Sequence, residues 1–398
     1  MNSIPTTYEI LKIVNEFNYS TELPSRLIVE STEIALMLPI MALALSFNAI
    51  VFIDTFQQNF FPPDPRTVGF VRVDNKRYSQ LKMCLCIAHF FILFTHGMPK
   101  LFWLYNFEWT IGGDIGCRIY QFLISFSFIS CSNTVVVIAI DRLRCSYQMT
   151  TRGVVENGYV WKMVAIAWTL SILCSSPQLY LWRTIQPTGT WSQCVSIFKT
   201  NSSKQSARES LVYEIFNQCC IFWIPLIIMV FCYGYVIMRL VNLDKKTREN
   251  LRILRENEMR SDGKVVQPRS KKTTMYHKLS ATWVSFCSLA TPNARQLRDR
   301  AEYQNTVSLI ARQKIGSAIL RQACWIVSFH VILWAPYHVL ASMRFWDLPL
   351  YNKVMENGGN ILEDLMVLNC LVNPLIYGRN KIFNELRRLS GKVQPQRL

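Results

Sequence analysis

Ionisable side chains adjoin or interrupt long apolar stretches of this sequence, where they are costly unless they are paired. Asp141 and Arg142 directly follow the charge-free run Ile119–Ile140. A buried guanidinium needs a partner, so the neighbouring carboxylate can hold Arg142. The alternative is an ordinary surface pair.

Residue patterns for catalysis do not accompany this pair. We find no nucleophile triad, no cluster of metal ligands and no phosphate-binding loop in the sequence. The sequence therefore predicts neither an enzyme nor a metal or cofactor site.

The elements that must position Asp141 and Arg142 are membrane spans. The chain of 398 residues is 51% hydrophobic and only 17% charged, below the roughly 25% charge of soluble domains. Its apolar residues come in blocks that match the roughly 20 residues of a bilayer-spanning helix. The charge-free runs are Ile34–Ile53, Met83–Pro99, Ile119–Ile140, Met163–Trp182, Ile215–Met238, Gln322–Met343 and the shorter Leu365–Gly378.

The seventh run is long enough only when residues 357–364 are added, with Glu363 and Asp364. We count it as a span, which predicts an all-α membrane protein with a seven-helix bundle. The predicted domains are an extracellular N-terminus (1–33), the bundle (34–378) with a basic cytoplasmic loop (241–314), and a cytoplasmic tail (379–398). Its spans are expected near 34–55, 80–106, 115–146, 159–182, 212–240, 315–346 and 357–378.

The distribution of basic residues predicts the orientation in the membrane. Residues 239–321 hold 18 Lys or Arg against 7 Asp or Glu, and cytoplasmic loops collect such residues. The N-terminus is therefore expected outside the cell and the protein at the plasma membrane as a multi-pass chain. The basic surplus reflects topology first, with membrane lipid as a further partner. No basic patch separates from the spans, so nucleic acid is not a predicted partner.

Cysteines and glycosylation sequons agree with that orientation. Cys117 opens the third span at its outer end, and Cys194 lies in the outer loop before the fifth, so a disulfide between them would fix that loop to the helix. Sequons at Asn18 and Asn201 fall on the same side. Lys381–Leu389 has the pattern of a short amphipathic eighth helix.

Each predicted span contains a polar or proline motif, and the set of motifs resembles that of a known family. The motifs are Asn48, Asp141-Arg142-Leu143 located 24 residues after Cys117, Trp168, Pro225 with Tyr233, Leu333–Tyr337 and Asn373–Tyr377. Together and in this order they resemble the rhodopsin-like (class A) G-protein-coupled receptors. Trp109–Asp114, Ser176–Leu179 and Trp334–Leu340 are similar to the gonadotropin-releasing-hormone and adipokinetic-hormone receptor branch.

The resemblance implies a receptor for a secreted neuropeptide or peptide hormone that acts through a heterotrimeric G protein, of the Gq type. It also implies that helix six swings outward on activation, so that Arg142 leaves Asp141 and meets Tyr233 and the G protein. Trp334 and the proline of its motif would form the switch of helix six. The residues implied in coupling and activation are Asp141, Arg142, Tyr233, Trp334, Pro336, Asn373, Pro374 and Tyr377.

Departures from the family pattern lie in the core of the bundle. His89 stands where the family has a sodium-binding aspartate, and Cys131 replaces a hydroxyl partner. Sodium needs hard oxygen ligands, so no allosteric sodium effect is predicted. His89 is expected to link to Asn369 or Asn373, with proton sensing as the alternative. His330 replaces a phenylalanine below the tryptophan of helix six.

The predicted ligand pocket also departs from the branch. Lys100 stands near the top of helix two, where the branch carries an acidic residue, and Glu363 either binds ligand or pairs with Lys100. The candidate ligand-binding residues are Lys100, Trp103, Gln121, Trp182, Tyr337, Arg344 and Glu363.

Two rival hypotheses remain open. The departures at His89 and His330 raise a receptor fold that binds ligand but couples weakly or not at all, as a decoy or orphan receptor. A seven-helix transporter, channel or retinal pump is the other, but Glu363–Tyr377 holds no lysine for retinal and the chain shows no internal repeat.

Overall fold

The computed structural model describes residues 28–61, 70–106, 108–148, 158–186, 192–200, 203–261, 320–359 and 361–389. Both predicted glycosylation sites, Asn18 and Asn201, lie outside these residues, as does the middle of the loop 241–314.

Seven helices of the described chain are long and apolar enough to cross a bilayer, which confirms the predicted seven-helix fold. Six of them contain a whole charge-free run, and the fourth covers Met163–Trp182 up to Leu181 in two helical segments, Tyr159–Ser175 and Gln178–Leu181. We number them as follows: α1, Ile28–Phe60; α2, Phe70–Ile92 with a π turn at Leu93–Gly97 and Met98–Asn106; α3, Gly113–Gln148; α4, Tyr159–Ser175; α5, Lys204–Gln218 with a π turn at Cys219–Trp223 and Ile224–Ser261; α6, Leu320–Met343; α7, Ile361–Leu389.

Helix α3 is the central element of the bundle. In its most apolar segment 83% of the residues are buried, against 28% for α1 and for α4. Small and hydroxyl side chains such as Ser127, Ser130 and Thr134 permit this burial, because each donates to a carbonyl three or four residues earlier in α3. The helix that carries Asp141 and Arg142 is therefore packed on all sides.

Helices α1 and α7 pack closely where Val51 of α1 faces Gly378 of α7. A Cβ on Gly378 would lie 2.2 Å from Cγ2 of Val51, so the approach requires glycine. Lys381 Nζ lies 2.8 Å from Asp54 Oδ1, and Ile382 is fully buried. Residues 381–389 are helical as predicted, but they continue α7 as one helix, and the structure does not separate an eighth helix from it.

Prolines and π turns interrupt the regular hydrogen bonding of the spans. Pro374 lies inside α7 and Pro336 inside α6, where each removes a backbone donor. The π turns of α2 and α5 each add one residue to a helical turn. Proline and π turns are common sites of helix bending.

A β-hairpin covers one end of the bundle. Strand β1 (Trp182–Ile185) pairs antiparallel with β2 (Gln193–Ser196), and Thr184 stands opposite Cys194. A disulfide joins Cys194 to Cys117 at the start of α3, which confirms the predicted pair.

The chain divides into two units, and the second consists of residues 145–152 and 234–320. Within this second unit Arg239 Nε donates to the Ser146 carbonyl at 3.1 Å, and its guanidinium lies 4.4 Å from the Tyr147 ring centre. The Tyr147 and Tyr235 rings stack at 5.3 Å. All residues of the candidate site belong to the first unit.

Candidate functional site

A cavity that is partly open to solvent lies beside the disulfide in the first unit. It is bounded by α2, α3, α7, the β2 strand and the segment 108–111. Four of the predicted ligand residues line it, namely Lys100, Trp103, Gln121 and Glu363.

The disulfide brings the hairpin into the wall of this cavity. Gln193 and Cys194 of β2 line it, and Trp103 Nε1 donates to Gln193 Oε1 at 3.5 Å. Gln121 Nε2 points to the Cys194 sulfur at 3.9 Å. Ser192, which precedes β2, accepts the backbone N–H of Trp109 at 2.8 Å. These contacts hold aromatic side chains against the ligand space.

A group of ions closes the side of the cavity where α1, α2 and α7 meet. Lys100 Nζ lies 2.6 Å from Glu33 Oε1, 2.6 Å from Asp364 Oδ1 and 3.9 Å from Glu363 Oε2. We call these four residues the Lys100 cluster. Glu363 therefore pairs with Lys100 and also faces the cavity. His96 is buried beside them, with Nε2 at 4.0 Å from Glu363 Oε1.

Three predicted ligand residues do not line the cavity. Trp182 is buried behind the disulfide, and its Nε1 donates to Gln178 Oε1 at 2.5 Å. Arg344 Nη1 lies 2.5 Å from Glu214 Oε2. Tyr337 packs edge-on against His338, with ring centres 5.4 Å apart. Their ligand-binding role remains a prediction.

A second group of ions lies at the opposite end of α2 and α3. Asp141 contacts the Arg142 guanidinium through Oδ2, and its Oδ1 lies 3.6 Å from Arg77 Nη1 of α2. The Arg142 guanidinium also lies 5.2 Å from the ring centre of Tyr78. We call these four residues the Asp141 cluster. All four are buried, so the predicted pair is not a surface contact.

Trp334 is fully buried in the middle of the bundle and contacts α3 and its own helix. Its ring centre lies 5.7 Å from that of Phe128 and 4.2 Å from that of His330. His330 in turn approaches Ser132 Oγ at 3.5 Å and Asn369 Nδ2 at 3.4 Å. A rotation of the Trp334 ring would therefore disturb α3, α6 and α7 together.

His89 joins three spans through its two ring nitrogens. Asn48 donates both of its Nδ2 protons, to the carbonyls of Ala44 and Cys370 at 2.7 Å each. Its Oδ1 must then accept, so His89 Nδ1 carries the proton of their 2.9 Å bond. Asn373 Nδ2 donates to His89 Nε2 at 3.1 Å. This arrangement uses the neutral ring and confirms the predicted link between His89 and Asn373.

Tyr377 and Tyr233 are two further predicted activation residues. The Tyr377 hydroxyl lies 3.5 Å from Cys86 Sγ. Tyr233 of α5 is buried, and its hydroxyl has no hydrogen-bond partner among the described residues. An unpaired buried hydroxyl is a group that a change of state can satisfy.

Comparisons with known proteins agree with this geometry. The model of the family "7 transmembrane receptor (rhodopsin family)" matches residues 75–377. The chain belongs to this family. Squid rhodopsin has the same fold at a TM-score of 0.60 and 16% identity, over 99% of this chain and 92% of that chain.

The relatives by sequence include receptors of the predicted branch. "G-protein coupled receptor daf-38" of Caenorhabditis elegans is 24% identical over 77% of this chain and 81% of its own length. The gonadotropin-releasing hormone II receptor of Chlorocebus aethiops is 24% identical over 69% of this chain and 59% of its own length. The gonadotropin-releasing hormone receptor of Mus musculus is 26% identical over 69% and 68%. The resemblance to this branch is thereby confirmed, and receptors of this family are not enzymes.

Three residues of this rhodopsin-family receptor were missed by sequence reasoning. Glu33 and His96 contact or face the Lys100 cluster, and Arg77 shares Asp141 with Arg142. Each is an ionisable residue at or near the edge of a predicted span. That position was the available signal, but it does not reveal which neighbour the side chain meets.

Proposed function

We propose that this chain is a cell-surface receptor, with its N-terminus outside the cell, that binds a secreted neuropeptide or peptide hormone and signals through a heterotrimeric G protein of the Gq type. Family membership supports the receptor and G-protein parts of this proposal. The printed names of two relatives, which are receptors for a peptide hormone, support the class of ligand.

The observation that carries the proposal is the separation of two sites along the same helices. Lys100 at the cavity and Arg77 in the Asp141 cluster are both on α2, 23 residues apart, which corresponds to roughly 35 Å of helix. A ligand in the cavity therefore cannot touch Arg142. Its effect must pass through the packed side chains between them.

The route between the two sites leads through Trp334, His330 and the His89 network. A ligand that binds the open state more tightly than the closed state shifts the population toward the open one. In the closed state Asp141 holds Arg142, and in the open state Arg142 is available to the G protein. Pro336 and Pro374 supply the weak points in α6 and α7 at which the helices can bend.

Intracellular calcium is the measurement that tests the proposal. Cells that express the full chain and a promiscuous G protein are challenged with a library of amidated neuropeptides. We expect one peptide to raise calcium in the wild type, and Arg142→Ala to abolish the response at equal surface expression.

The matched control for this loss is Arg144→Ala, since Arg144 lies two residues further on. Its guanidinium stacks over Tyr159 at 3.8 Å, outside the Asp141 cluster. This control should keep the response. A response that survives in Arg142→Ala would contradict the coupling role.

A receptor that binds ligand without coupling is the second candidate. His89 and His330, both fully buried in the path between the two sites, favour it, because the bonds of both rings join spans that must separate. Silence to every peptide at normal surface expression, together with retained binding of a ligand, would support this candidate over a coupled receptor.

A further inference from the structure

Arg142 has two different kinds of contact within the Asp141 cluster. The carboxylate of Asp141 pairs with its guanidinium, and the ring of Tyr78 lies against it, with the ring centre 5.2 Å from Arg142 Cζ. A guanidinium over an aromatic face, within about 6 Å of the ring centre, is attracted by the negative charge of that face. The Asp141-Arg142 sequence pair includes the first contact but not the second. The second contact joins α2 to α3 without a carboxylate.

Both partners in the second contact are buried. Tyr78 is 4% exposed and Arg142 is 3% exposed. A cation is attracted more strongly to an aromatic face where water is excluded, because water no longer competes for the cation. The ring of Tyr78 is therefore placed where it can influence the position of Arg142.

A second cation approaches the same ring. Lys82 lies four residues after Tyr78, about one turn further along α2, and its Nζ is 4.9 Å from the ring centre. Cations from α2 and α3 thus converge on one aromatic side chain. Like charges repel each other, so this arrangement needs a group that attracts both of them. The face of the Tyr78 ring is such a group.

The hydroxyl of Tyr78 does not account for the place of this residue in the cluster. It is buried and has no hydrogen-bond partner in the part of the chain that the structure describes. A buried hydroxyl without a partner costs stability, and a phenylalanine would avoid that cost. The contribution of Tyr78 to the cluster is therefore its ring.

We propose that Tyr78 is a positioning residue for Arg142: the face of its ring holds the guanidinium in the resting state, in addition to the carboxylate of Asp141. The proposal rests on the proposed function, because it assigns a second restraint to the residue through which that function couples. Arg142 must then leave partners on both α2 and α3 when it turns toward the G protein. A weaker ring face should therefore raise signalling in the absence of ligand.

Fluorination of the ring tests this restraint with little change of its shape. Tyr78→Phe keeps the ring face, whereas Tyr78→3,4,5-trifluorophenylalanine, introduced by stop-codon suppression, draws negative charge away from the face. Ligand-independent inositol phosphate accumulation is measured at matched surface expression. We expect Tyr78→Phe to stay within about twofold of the wild type, and the fluorinated variant to exceed Tyr78→Phe about three- to fivefold. Equal levels in the two variants, in a chain that responds to an added peptide, would overturn the proposal.

Lys82→Met is the matched control for a general loosening of the cluster. It removes a side chain that contacts the same ring, but it leaves the contact between the ring and Arg142 in place. Ligand-independent signalling in Lys82→Met should stay at or below the wild-type level, because a cation that repels Arg142 is gone. A rise as large as that of the fluorinated variant would show that any disturbance beside Tyr78 activates the chain, and would overturn the role of the ring face.

Thermal unfolding of the purified full chain in lipid nanodiscs tests the contact without ligand or G protein. The variants are Tyr78→Leu, Arg142→Met and the combination of both. Tyr78→Leu removes ring packing and the cation contact from the wild type, but only ring packing from Arg142→Met. We expect its fall in Tm to be smaller in the Arg142→Met background. Equal falls in the two backgrounds would overturn the proposal.

The fluorinated variant keeps this comparison usable if Tyr78→Leu does not fold. Its Tm is compared with that of Tyr78→Phe, with and without Arg142→Met, and we expect a difference only when Arg142 is present. The same difference in both backgrounds would contradict the contact. Because unfolding needs no coupling, a chain that shows the contact but stays silent in every signalling assay would count against the proposed function alone.

Discussion

The Lys100 cluster and the Asp141 cluster contain the same kinds of ions in opposite proportions. The first surrounds one ammonium with three carboxylates, and the second surrounds one carboxylate with two guanidinium groups. In both clusters the shared ion binds a partner on at least one other span, so its removal should affect more than one helix.

The largest expected effect concerns the cation at the centre of the Lys100 cluster. Lys100→Gln leaves three carboxylates without their shared ammonium, which should cost about 3–5 kcal/mol of folding stability. Thermal unfolding of the purified chain measures the loss. Lys381→Gln is the control: its pair with Asp54 is more than half exposed on the lysine side and should cost at most about 1 kcal/mol. Equal stability of the two variants would remove the distinction between the clusters.

The next effect concerns the anion shared by two guanidinium groups. Asp141→Asn removes the charge that holds Arg142 in the resting state, so we expect ligand-independent signalling to rise about tenfold, the change that 1.4 kcal/mol produces. Inositol phosphate accumulation at matched surface expression measures it. Asp114→Asn, which affects an exposed pair with Arg118, should leave the basal level unchanged. A basal level in Asp141→Asn that equals the wild type would show that Asp141 does not restrain Arg142.

A smaller effect of opposite sign is expected at Arg77. Its positive charge repels Arg142 across their common carboxylate, so Arg77→Gln should strengthen the Asp141–Arg142 pair and favour the resting state. We expect basal signalling and ligand potency to fall by less than tenfold. Dose–response curves of Arg77→Gln and Asp141→Asn, measured side by side, show whether the two signs differ. An increase in Arg77→Gln would mean that Arg77 stabilises the resting state instead.

The smallest expected effect is the absence of a sodium response. His89 donates to Asn48 and accepts from Asn373, so the place of the family's sodium-binding carboxylate is filled by a neutral ring. Replacement of sodium by N-methyl-glucamine should leave ligand affinity unchanged in a radioligand competition assay. A shift in affinity would show that oxygen ligands elsewhere in the core bind sodium.

Much of the fold could be predicted because membrane insertion leaves a direct record in composition. The charge-free runs correspond to the seven long helices, since a span must avoid unpaired charge. The disulfide followed from the positions of Cys117 and Cys194 at one end of the bundle. The eighth helix was harder to delimit: the amphipathic pattern of residues 381–389 gives the helix itself, but not whether it is separate from α7.

Site residues could be predicted where a charge interrupts a span. They were harder to predict where helix packing decides which side chains face the cavity. Lys100 and Glu363 stood out because a charge near a span needs a reason. Tyr337 and Arg344 were selected for their positions near the same end of α6, but the sequence does not state which side of the helix faces the cavity. Glu33 escaped notice because it lies just before the first charge-free run, where an acidic residue is ordinary.

The π turn at Leu93–Gly97 has a consequence for any alignment of this chain with its relatives. One additional residue in a helical turn rotates everything beyond it by about 100° around the helix axis. An alignment that forbids gaps inside spans, made against a relative without this turn, would match Lys100 and Trp103 to positions that point elsewhere. The family numbering of α2 is then offset by one on the cavity side of the turn, and pocket residues transferred between receptors would name the wrong side chains.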